Sequence, residues 1–253
     1  GNNVNNRLYT VYRVGNGDNN GDNFFMHSMI KRIAVLGCTG SIGSTALKII
    51  RNNPDRFKAV FLANNKNEKQ LLGLAKEFGV NNIFCRESKL SVINGKRIRF
   101  DENLLSYPET YENADIVING IAGIGGLAPT VAAIEANKIV ATANKESIVS
   151  AGNYINDLLD KTKAELRPLD SEHSTVWQCI DKAENVKRIL LTASGGAFRD
   201  YTPEMLTKAT ATDALRHPNW VMGKKVTIDC ATLVNKGMEI IEAKRIFRCN
   251  NVD

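Results

Sequence analysis

The chain has 253 residues, of which 43% are hydrophobic and 24% are charged, and its formal net charge is +6. This length and apolar content support one large or two ordinary domains with packed cores. The mean hydropathy is −0.23, and the chain lacks an apolar run of the roughly 18–20 residues that a membrane span needs. We therefore expect a soluble protein without a membrane partner. The basic residues are spread along the chain, which favours small anionic ligands over nucleic acid.

The cysteines indicate the redox compartment of the protein, and the first residues indicate where its folded part begins. Five cysteines form neither a CxxC pair nor an even framework, so we expect reduced thiols in a cytosol-like compartment. The three histidines are too scattered for a structural zinc site. Residues 1–28 hold eight Asn and four Gly without apolar periodicity, which predicts a disordered extension, with the folded part starting near Met29.

Strands and helices alternate from Ile30 onward. We predict, in order, strand Lys31–Leu36, helix Ser41–Arg51, strand Lys58–Ala63, helix Glu68–Phe78, strands Ile83–Cys85 and Asp115–Asn119, helix Leu127–Ala136 and strand Ile139–Ala141. This alternation is typical of an α/β fold with a Rossmann-like, doubly wound parallel sheet, which we place at residues 29–150. The order then loosens, and we expect a partial α+β catalytic domain at residues 151–253. Its predicted elements are helix Ser174–Ile180, strands Arg188–Thr192 and Lys224–Asp229, and helix Asn235–Phe247.

A glycine-rich loop, Gly37–Gly43, follows the first strand and opens a helix. Glycines allow a tight turn and close approach of a pyrophosphate, which the helix N-terminus then binds. The spacing is G-x-x-G-x-x-G rather than G-x-G-x-x-G, so an ordinary βα turn is the alternative. The second predicted strand leads into Asn65-Lys66-Asn67, with no acid until Glu68. A lysine flanked by amides favours NADPH over NADH, unless Lys66 is only a solvated loop charge.

Two acids stand two residues apart at Asp170 and Glu172, in what we expect to be an extended turn before a helix. Together with Glu239 they offer hard oxygen ligands for Mg²⁺ or Mn²⁺. The alternative for the first two is helix capping, because acids favour a first helical turn.

Three further segments carry polar groups suited to ligands. Leu191–Phe198 ends a predicted strand with Ser194 and two glycines, a candidate anion nest or a hinge. Asn144–Ser147 follows a predicted strand, at the sheet edge where ligands bind in open α/β sheets, or it simply opens a helix. His217–Trp220 contains a proline and predicts a loop that closes over a ligand, unless the Trp anchors it to the core.

Four of these segments, in this order, closely resemble the 1-deoxy-D-xylulose 5-phosphate reductoisomerase family. They are Gly37–Gly43, Ala143–Ser147, Asp170–Ser174 and His217–Glu239, and the resemblance runs from about Lys31 to Phe247. It implies an enzyme that uses NADPH and a divalent metal (Mn²⁺, Mg²⁺ or Co²⁺) to make 2-C-methyl-D-erythritol 4-phosphate for isoprenoid synthesis. The expected route is retro-aldol cleavage and re-addition, then hydride transfer. It also implies a phosphorylated sugar substrate, a homodimer, and a cytoplasmic location in a bacterium or a plastid-type organelle in a eukaryote.

The resemblance also assigns residues to roles. The cofactor would be contacted by Thr39, Gly40, Ser41, Ile42, Asn65, Lys66, Asn67, Asn144, Glu146 and Gly223. The metal would be bound by Asp170, Glu172 and Glu239. The substrate would be contacted by Lys145, Ser171, Glu172, Ser194, His217, Cys230, Asn235, Lys236 and Glu239. The catalytic roles would fall to Lys145, Glu172, His217 and Trp220, with Met222 beside the last two on a flexible flap.

Two residues that differ from the family pattern, and the shorter length of the chain, bear on activity. Cys230 stands where the family usually has Ser, and a thiol is the weaker hydrogen-bond donor. Cys38 replaces Ser in the glycine loop, where backbone amides do most of the binding. Family members also extend well beyond this length, so we expect weak or absent turnover by the chain alone. The alternatives are a semialdehyde or homoserine dehydrogenase-like enzyme, with Cys179 or Cys230 as nucleophile, and an inactive NADP-binding dimerisation fragment.

Overall fold

The computed structural model describes residues 30–180, 186–219 and 222–253. The extension expected at residues 1–28 therefore lies outside the described residues, as does Trp220. Eight strands form one sheet: β1 Lys31–Leu36, β2 Phe57–Asn64, β3 Ile83–Cys85, β4 Leu90–Ile93, β5 Lys96–Arg97, β6 Ile116–Asn119, β7 Ile139–Thr142 and β8 Glu165–Pro168. Their order is β5-β4-β3-β2-β1-β6-β7-β8. Five neighbouring pairs are parallel, and only the pairs β3–β4 and β4–β5 at one edge are antiparallel, so the predicted doubly wound parallel sheet is confirmed.

Helices cover both faces of this sheet, which explains why its central strands are continuously apolar rather than alternating. In the first half these are α1 Ser41–Asn52, α2 Glu68–Phe78, α3 Leu127–Glu135 and α4 Lys145–Lys161. Leu47 of α1 and Leu71 of α2 are buried on one face. Ile134 of α3 and Ile148 and Ile155 of α4 are buried on the other.

The strand order reverses between β1 and β6, and this reversal places the nucleotide loop. Ligands bind at such switch points, beyond the carboxyl ends of the strands. Here the Gly120 amide donates to the Leu36 carbonyl (2.9 Å). A Cβ on Gly37 would lie 2.7 Å from the Gly120 oxygen, and Gly37 has φ of +72°. The two loops therefore touch, and only glycine fits at position 37.

Within residues 169–180, 186–219 and 222–253, five helices follow β8: α5 Ser171–Cys179, α6 Pro203–Leu206, α7 Ala211–Ala214, α8 Lys224–Ala231 and α9 Val234–Ile246. The long helix α9 packs along α4, where the aliphatic part of Arg245 fills the space above Gly152 and the Asn156 amide donates to the Arg245 carbonyl (3.0 Å). The other side of α9 buries Ala243 and Phe247 against Ile189 and Val252.

The second half of the chain contains two wrong secondary-structure predictions. Lys224–Asp229, predicted as a strand, is helical. Its Thr227 hydroxyl donates to the Gly223 carbonyl (2.9 Å), and Lys225 pairs with Asp229 one turn later (2.8 Å). These local contacts and packing on α9 outweigh the weak helix propensity of Val and Ile.

The strand predicted at Arg188–Thr192 is reduced to a single parallel bridge between Ile189 and Val252. Helix α5 starts at Ser171, three residues earlier than predicted, so Glu172 lies in its first turn rather than in an extended segment. The division at residue 150 stays a prediction, although α4 runs across it and β8 joins the same sheet. Among the described residues, every helix is too short or too polar to cross a membrane.

The close approach of α1 to the nucleotide loop predicts unequal effects at two helical glycines. A Cβ on Gly43 would lie 2.3 Å from the Gly37 oxygen, whereas a Cβ on Gly73 of α2 meets no described atom within 4 Å. Gly43→Ala should cost about 1–3 kcal/mol of unfolding free energy through overpacking. Gly73→Ala should add about 0.5–1 kcal/mol through helix propensity. Urea denaturation of both variants measures this, and equal stabilities would contradict the packing.

Candidate active site

The nucleotide loop presents an open helix N-terminus. Helix α1 begins at Ser41 with Gly40 as its N-cap, and no described side chain caps it or places an acid in its first turn. The uncapped amides and the helix dipole therefore favour an anion at this end. The Cys38 side chain is buried beneath the loop, and burial raises the pKa of its thiol to about 12. A neutral thiol in the core leaves the anion site to the backbone.

The predicted 2′-phosphate loop lies at the carboxyl end of β2. Buried Asn64 donates to the Asn67 carbonyl (2.7 Å), and Asn67 caps α2 by accepting from the Gln70 amide (3.0 Å). Asn65 and Lys66 both face an acid that sequence analysis did not single out. The Glu87 Oε1 atom accepts from Asn65 Nδ2 (3.2 Å) and pairs with Lys66 Nζ (3.4 Å).

Asn144 and Glu146 open α4 next to the nucleotide loop. The Asn144 amide donates to the carbonyls of Ile121 and Gly123 (2.6 Å each), and its oxygen accepts from the Ser147 amide (2.8 Å). The side chain is thus occupied in joining α4 to the loop after β6. Its predicted contact with a cofactor stays a prediction.

Glu146 extends toward α8 instead. Its Oε1 accepts from Lys225 Nζ (2.9 Å), and the same ammonium pairs with Asp229 (2.8 Å). Gly223 is the N-cap of α8. One ion-pair bridge therefore joins the two helices that carry the predicted cofactor residues Glu146 and Gly223.

The three predicted metal ligands converge. Asp170 is the N-cap of α5, Glu172 lies in its first turn, and Glu239 lies on α9. One carboxylate oxygen from each lies within 4.8 Å of the other two. The Asp170 side chain makes no capping hydrogen bond to helix α5. Helix capping therefore does not explain why an acid stands at this position.

Lys145 is the buried cation of this cluster. Its Nζ lies 2.7 Å from Asp170 Oδ2, 3.1 Å from Glu239 Oε1 and 2.7 Å from Asn235 Oδ1, and its side chain is 8% exposed. Burial alone would lower its pKa, but the carboxylates of Asp170 and Glu239 outweigh burial and raise it. Lys145 therefore stays charged and acts as a hydrogen-bond donor rather than as a base.

Lys236 supplies a second cation on the side of the phosphate nest. Its Nζ lies 3.0 Å from Glu172 Oε1, contacts Glu239 Oε2, and donates to the Thr192 carbonyl (2.6 Å). Asn235 donates to the other oxygen of Glu239. The carboxylate of Glu239 thus contacts both lysines.

The predicted phosphate nest lies against α8. Ser194 Oγ is 3.1 Å from His217 Nε2, and Gly195 and Gly196 have φ of +88° and +70°. A Cβ on Gly196 would lie 2.3 Å from the Cys230 carbonyl oxygen, so the glycine lets this loop touch the helix. Burial and the nearby Glu239 raise the pKa of the Cys230 thiol.

Sequence analysis missed a buried pair beneath the acids, His173 and Glu242. Because a carbonyl only accepts, His173 Nε2 donates to the Glu239 carbonyl (2.9 Å), and Nδ1 then faces Glu242 (3.5 Å) and Asp170 (3.8 Å). Burial opposes both charges, yet the contacts with His173 and Lys145 hold the pKa of Asp170 low, and Asp170 and Glu242 raise the pKa of His173. Each missed residue lies three positions after a predicted ligand, a helical spacing that signals a shared face.

The cluster suits a divalent cation by its charge and by its ligand atoms. Three carboxylates face two lysines, which leaves one unbalanced negative charge if all five are ionised. Oxygen-rich ligand sets of this kind match Mg²⁺ and Mn²⁺. Asp170, Glu172 and Glu239 would hold the ion, while His173 and Glu242 lie behind them.

Most of the predicted substrate residues thus share one site. Lys145, Glu172, Asn235, Lys236 and Glu239 are in direct contact, and the Ser171 hydroxyl donates to Glu172 (2.6 Å). At the nest, the Ser194 hydroxyl is hydrogen-bonded to His217. Lys236 contacts the same segment by donating to the Thr192 carbonyl. Met222 is described and half-buried. Trp220 falls outside the described residues.

A doubly wound sheet with a glycine loop at its switch point places this chain among the dinucleotide-fold α/β proteins. The family model of 1-deoxy-D-xylulose 5-phosphate reductoisomerase matches residues 33–152, and that of the 1-deoxy-D-xylulose 5-phosphate reductoisomerase C-terminal domain matches residues 166–247. The chain belongs to the 1-deoxy-D-xylulose 5-phosphate reductoisomerase family.

Individual relatives agree with this assignment. The reductoisomerase of Rippkaea orientalis is 43% identical over 229 residues, which cover 86% of this chain and 58% of that protein. The Geobacillus sp. enzyme is 44% identical over 226 residues, with 86% and 59% covered. A DOX-P reductoisomerase in complex with NADPH, fosmidomycin and magnesium superposes with a TM-score of 0.79 at 34% identity, covering 88% of this chain and 60% of that one. The chain thus spans about three-fifths of the length of these relatives.

The buried Glu242 predicts a pH-dependent stability. Burial raises the pKa of Glu242 to about 7, above its value in an unfolded chain, so the folded state holds this proton more tightly. The stabilisation is complete below about pH 4.5 and is lost as pH rises through 7. Glu242→Gln cannot ionise, so relative to wild type it should gain stability, on the order of 2–3 kcal/mol at most, between pH 5 and pH 8.

Urea denaturation in a metal chelator at both pH values measures this difference. Glu165→Gln, on the exposed edge strand β8, removes a charge outside the cluster and serves as the control. A Glu242→Gln difference that does not change with pH would show that Glu242 is ionised at pH 5 in the folded protein.

Proposed function

We propose that this chain carries the cofactor, metal and substrate-phosphate sites of a reductoisomerase that converts 1-deoxy-D-xylulose 5-phosphate to 2-C-methyl-D-erythritol 4-phosphate in isoprenoid synthesis, with NADPH and a divalent metal. The convergence of Asp170, Glu172 and Glu239 around Lys145 carries the proposal. These acids come from segments about 70 residues apart, and a packed core has no need to gather them, because buried charges are costly.

The position of the cluster supports a shared site for cofactor and metal. Lys145 directly follows Asn144, whose amide bonds to the loop after β6 (2.6 Å to the Ile121 carbonyl). Strand β6 in turn pairs with β1, which leads into the glycine loop. The acids therefore lie at the same carboxyl edge of the sheet as the nucleotide loop. Related proteins have been solved in complex with NADPH, and in complex with NADPH, fosmidomycin and magnesium.

The three acids and the two lysines of the cluster would have different roles in the reaction. A divalent cation bound by the three acids would polarise substrate oxygens, and NADPH would supply hydride. Lys145, which stays protonated, places a positive charge beside the acids and orients a substrate oxygen. Lys236 lies between Glu172 and the Thr192 carbonyl, so it can bind the phosphate end of the substrate without leaving the acids. Such remote binding orients the reacting end.

The nest at Ser194 completes the phosphate grip. Ser194, Asn235 and Lys236 supply the donors, and the positive φ angles of Gly195 and Gly196 turn the chain around the anion. His217 meets Ser194 (3.1 Å) and joins this nest to the loop that continues toward Met222. We assign this loop, with Trp220, the role of excluding water from the reacting fragments.

The thiol-based alternative has less support. A dehydrogenase nucleophile needs a reactive thiolate, whereas burial raises the pKa of Cys230. The inactive-fragment alternative concerns turnover, and an assay of NADPH oxidation with 1-deoxy-D-xylulose 5-phosphate and Mn²⁺ distinguishes it from the proposed function. The homodimer and a cytoplasmic or plastid-type compartment stay predictions of the family resemblance and cysteine usage.

Metal binding tests the acid cluster. Isothermal titration of the wild-type chain with Mn²⁺ should show binding, and Asp170→Asn should weaken it at least about tenfold, since one ligand loses its charge. Asp160→Asn is the matched control, because Asp160 is exposed and pairs with Arg248 (2.6 Å). Unaltered affinity in Asp170→Asn would remove this acid from the metal site and sink the assignment.

Replacing the thiol at position 230 by a hydroxyl should raise the affinity for a phosphate group rather than lower it. Cys230→Ser restores a stronger donor beside the nest, so a phosphonate substrate mimic should bind about three- to tenfold more tightly, in line with one ordinary hydrogen bond. Titration with the mimic, in the presence of NADPH and Mn²⁺, measures the dissociation constant. Cys179→Ser, at an exposed cysteine, should bind like wild type. Equal or weaker binding by Cys230→Ser would place the phosphate elsewhere.

A further inference from the structure

One acid of the cofactor domain has no role in the proposed site and yet contacts two of its residues. Glu87 follows β3, and its Oε1 accepts from Asn65 Nδ2 (3.2 Å) and pairs with Lys66 Nζ (3.4 Å). The sequence places Glu87 more than 20 residues from this loop. Parallel pairing of β2 with β3 brings the two strand ends side by side.

The backbone of Glu87 holds the loop independently of its side chain. The Glu87 amide donates to the Asn65 carbonyl (2.8 Å), and the Arg86 amide donates to the Asn64 carbonyl (3.2 Å). The loop is further fixed from within, because Asn64 bonds to the Asn67 carbonyl. The carboxylate is therefore not needed to shape the loop. What it adds is a negative charge beside the one loop cation, Lys66.

We propose that Glu87 is a specificity residue of the cofactor site, which occupies Lys66 when no 2′-phosphate is present and thereby reduces the preference for NADPH over NADH. This rests on the proposed function, in which Asn65, Lys66 and Asn67 bind the adenosine ribose and its 2′-phosphate. A 2′-phosphate must take Lys66 from Glu87 and then lie near a like charge. NADH carries a 2′-hydroxyl instead, which a carboxylate accepts as a hydrogen bond.

The solvent exposure of the pair sets the size of the effect. The side chains of Lys66 and Glu87 are 74% and 52% exposed, so water and salt screen their charges and an exposed pair of this kind contributes little to stability. The expected change in cofactor affinity is that of one screened charge contact with a phosphate, about three- to tenfold.

The test compares the two cofactors on Glu87→Gln. Glutamine keeps an acceptor for Asn65 and removes the charge. We expect NADPH to bind about three- to tenfold more tightly than to wild type, and NADH to change less than about twofold, measured by fluorescence titration of the reduced nicotinamide. Raising the salt concentration should shrink the NADPH difference. Glu77→Gln, which breaks another exposed pair, with Arg51 (2.6 Å), is the control and should bind both cofactors like wild type.

The outcomes separate the inference from the proposed function. Wild-type chain that binds neither cofactor would overturn both. Wild-type chain that binds NADPH, with an unchanged or lower ratio of NADPH to NADH affinity in Glu87→Gln, would overturn the role of Glu87 alone. Equal tightening of both cofactors would also overturn it, because the effect would then not concern the 2′-phosphate.

Discussion

The buried ammonium of Lys145 is the contact on which the candidate site depends. Lys145 begins α4, and its three bonds reach Asp170 at the start of α5 and both Asn235 and Glu239 on α9. Removing these charges from water is costly, and their mutual attraction offsets that cost only when the geometry is closely matched. The cluster therefore does more to specify how the three helices meet than to stabilise the fold.

The apolar packing of α9 on α4 makes this charge cluster possible. Arg245 covers Gly152, and Ala243 and Phe247 are buried on the other side of α9. This packing holds the α9 acids within hydrogen-bonding range of Lys145. It also buries His173 and Glu242 below the cluster. There His173 Nε2 donates to the Glu239 carbonyl, and its Nδ1 faces the Asp170 carboxylate. Lys145 on one side and His173 on the other thus hold Asp170 and Glu239 in place. A cation would therefore meet a largely formed set of ligands.

Tertiary contacts also changed the meaning of individual residues. Lys66 was predicted from its amide neighbours to favour a 2′-phosphate, but strand pairing sets Glu87 beside it. Asn144 was predicted to contact the cofactor, and its side chain also joins α4 to the loop after β6. The segment Lys224–Asp229 has the alternation of a strand and forms α8, because packing on α9 and an ion pair one turn apart decide its conformation. The first two cases involve partners more than 20 residues away in the chain.

The sequence by itself determined the five parallel strands β1, β2, β3, β6 and β7, the glycine loop and the identity of the acids, whereas β4, β5 and β8 were not predicted. Hydrophobic runs bounded by glycines and amides mark β1, α1 and β2 because these signals are local, and the spacing of Asp170 and Glu172 is local as well. Only the tertiary structure decided that Glu239 meets those two acids, that Lys145 is buried among them, and that His173 and Glu242 lie beneath. The physical reason is that burial and charge pairing depend on which helices pack together, and no short segment of the chain contains that information.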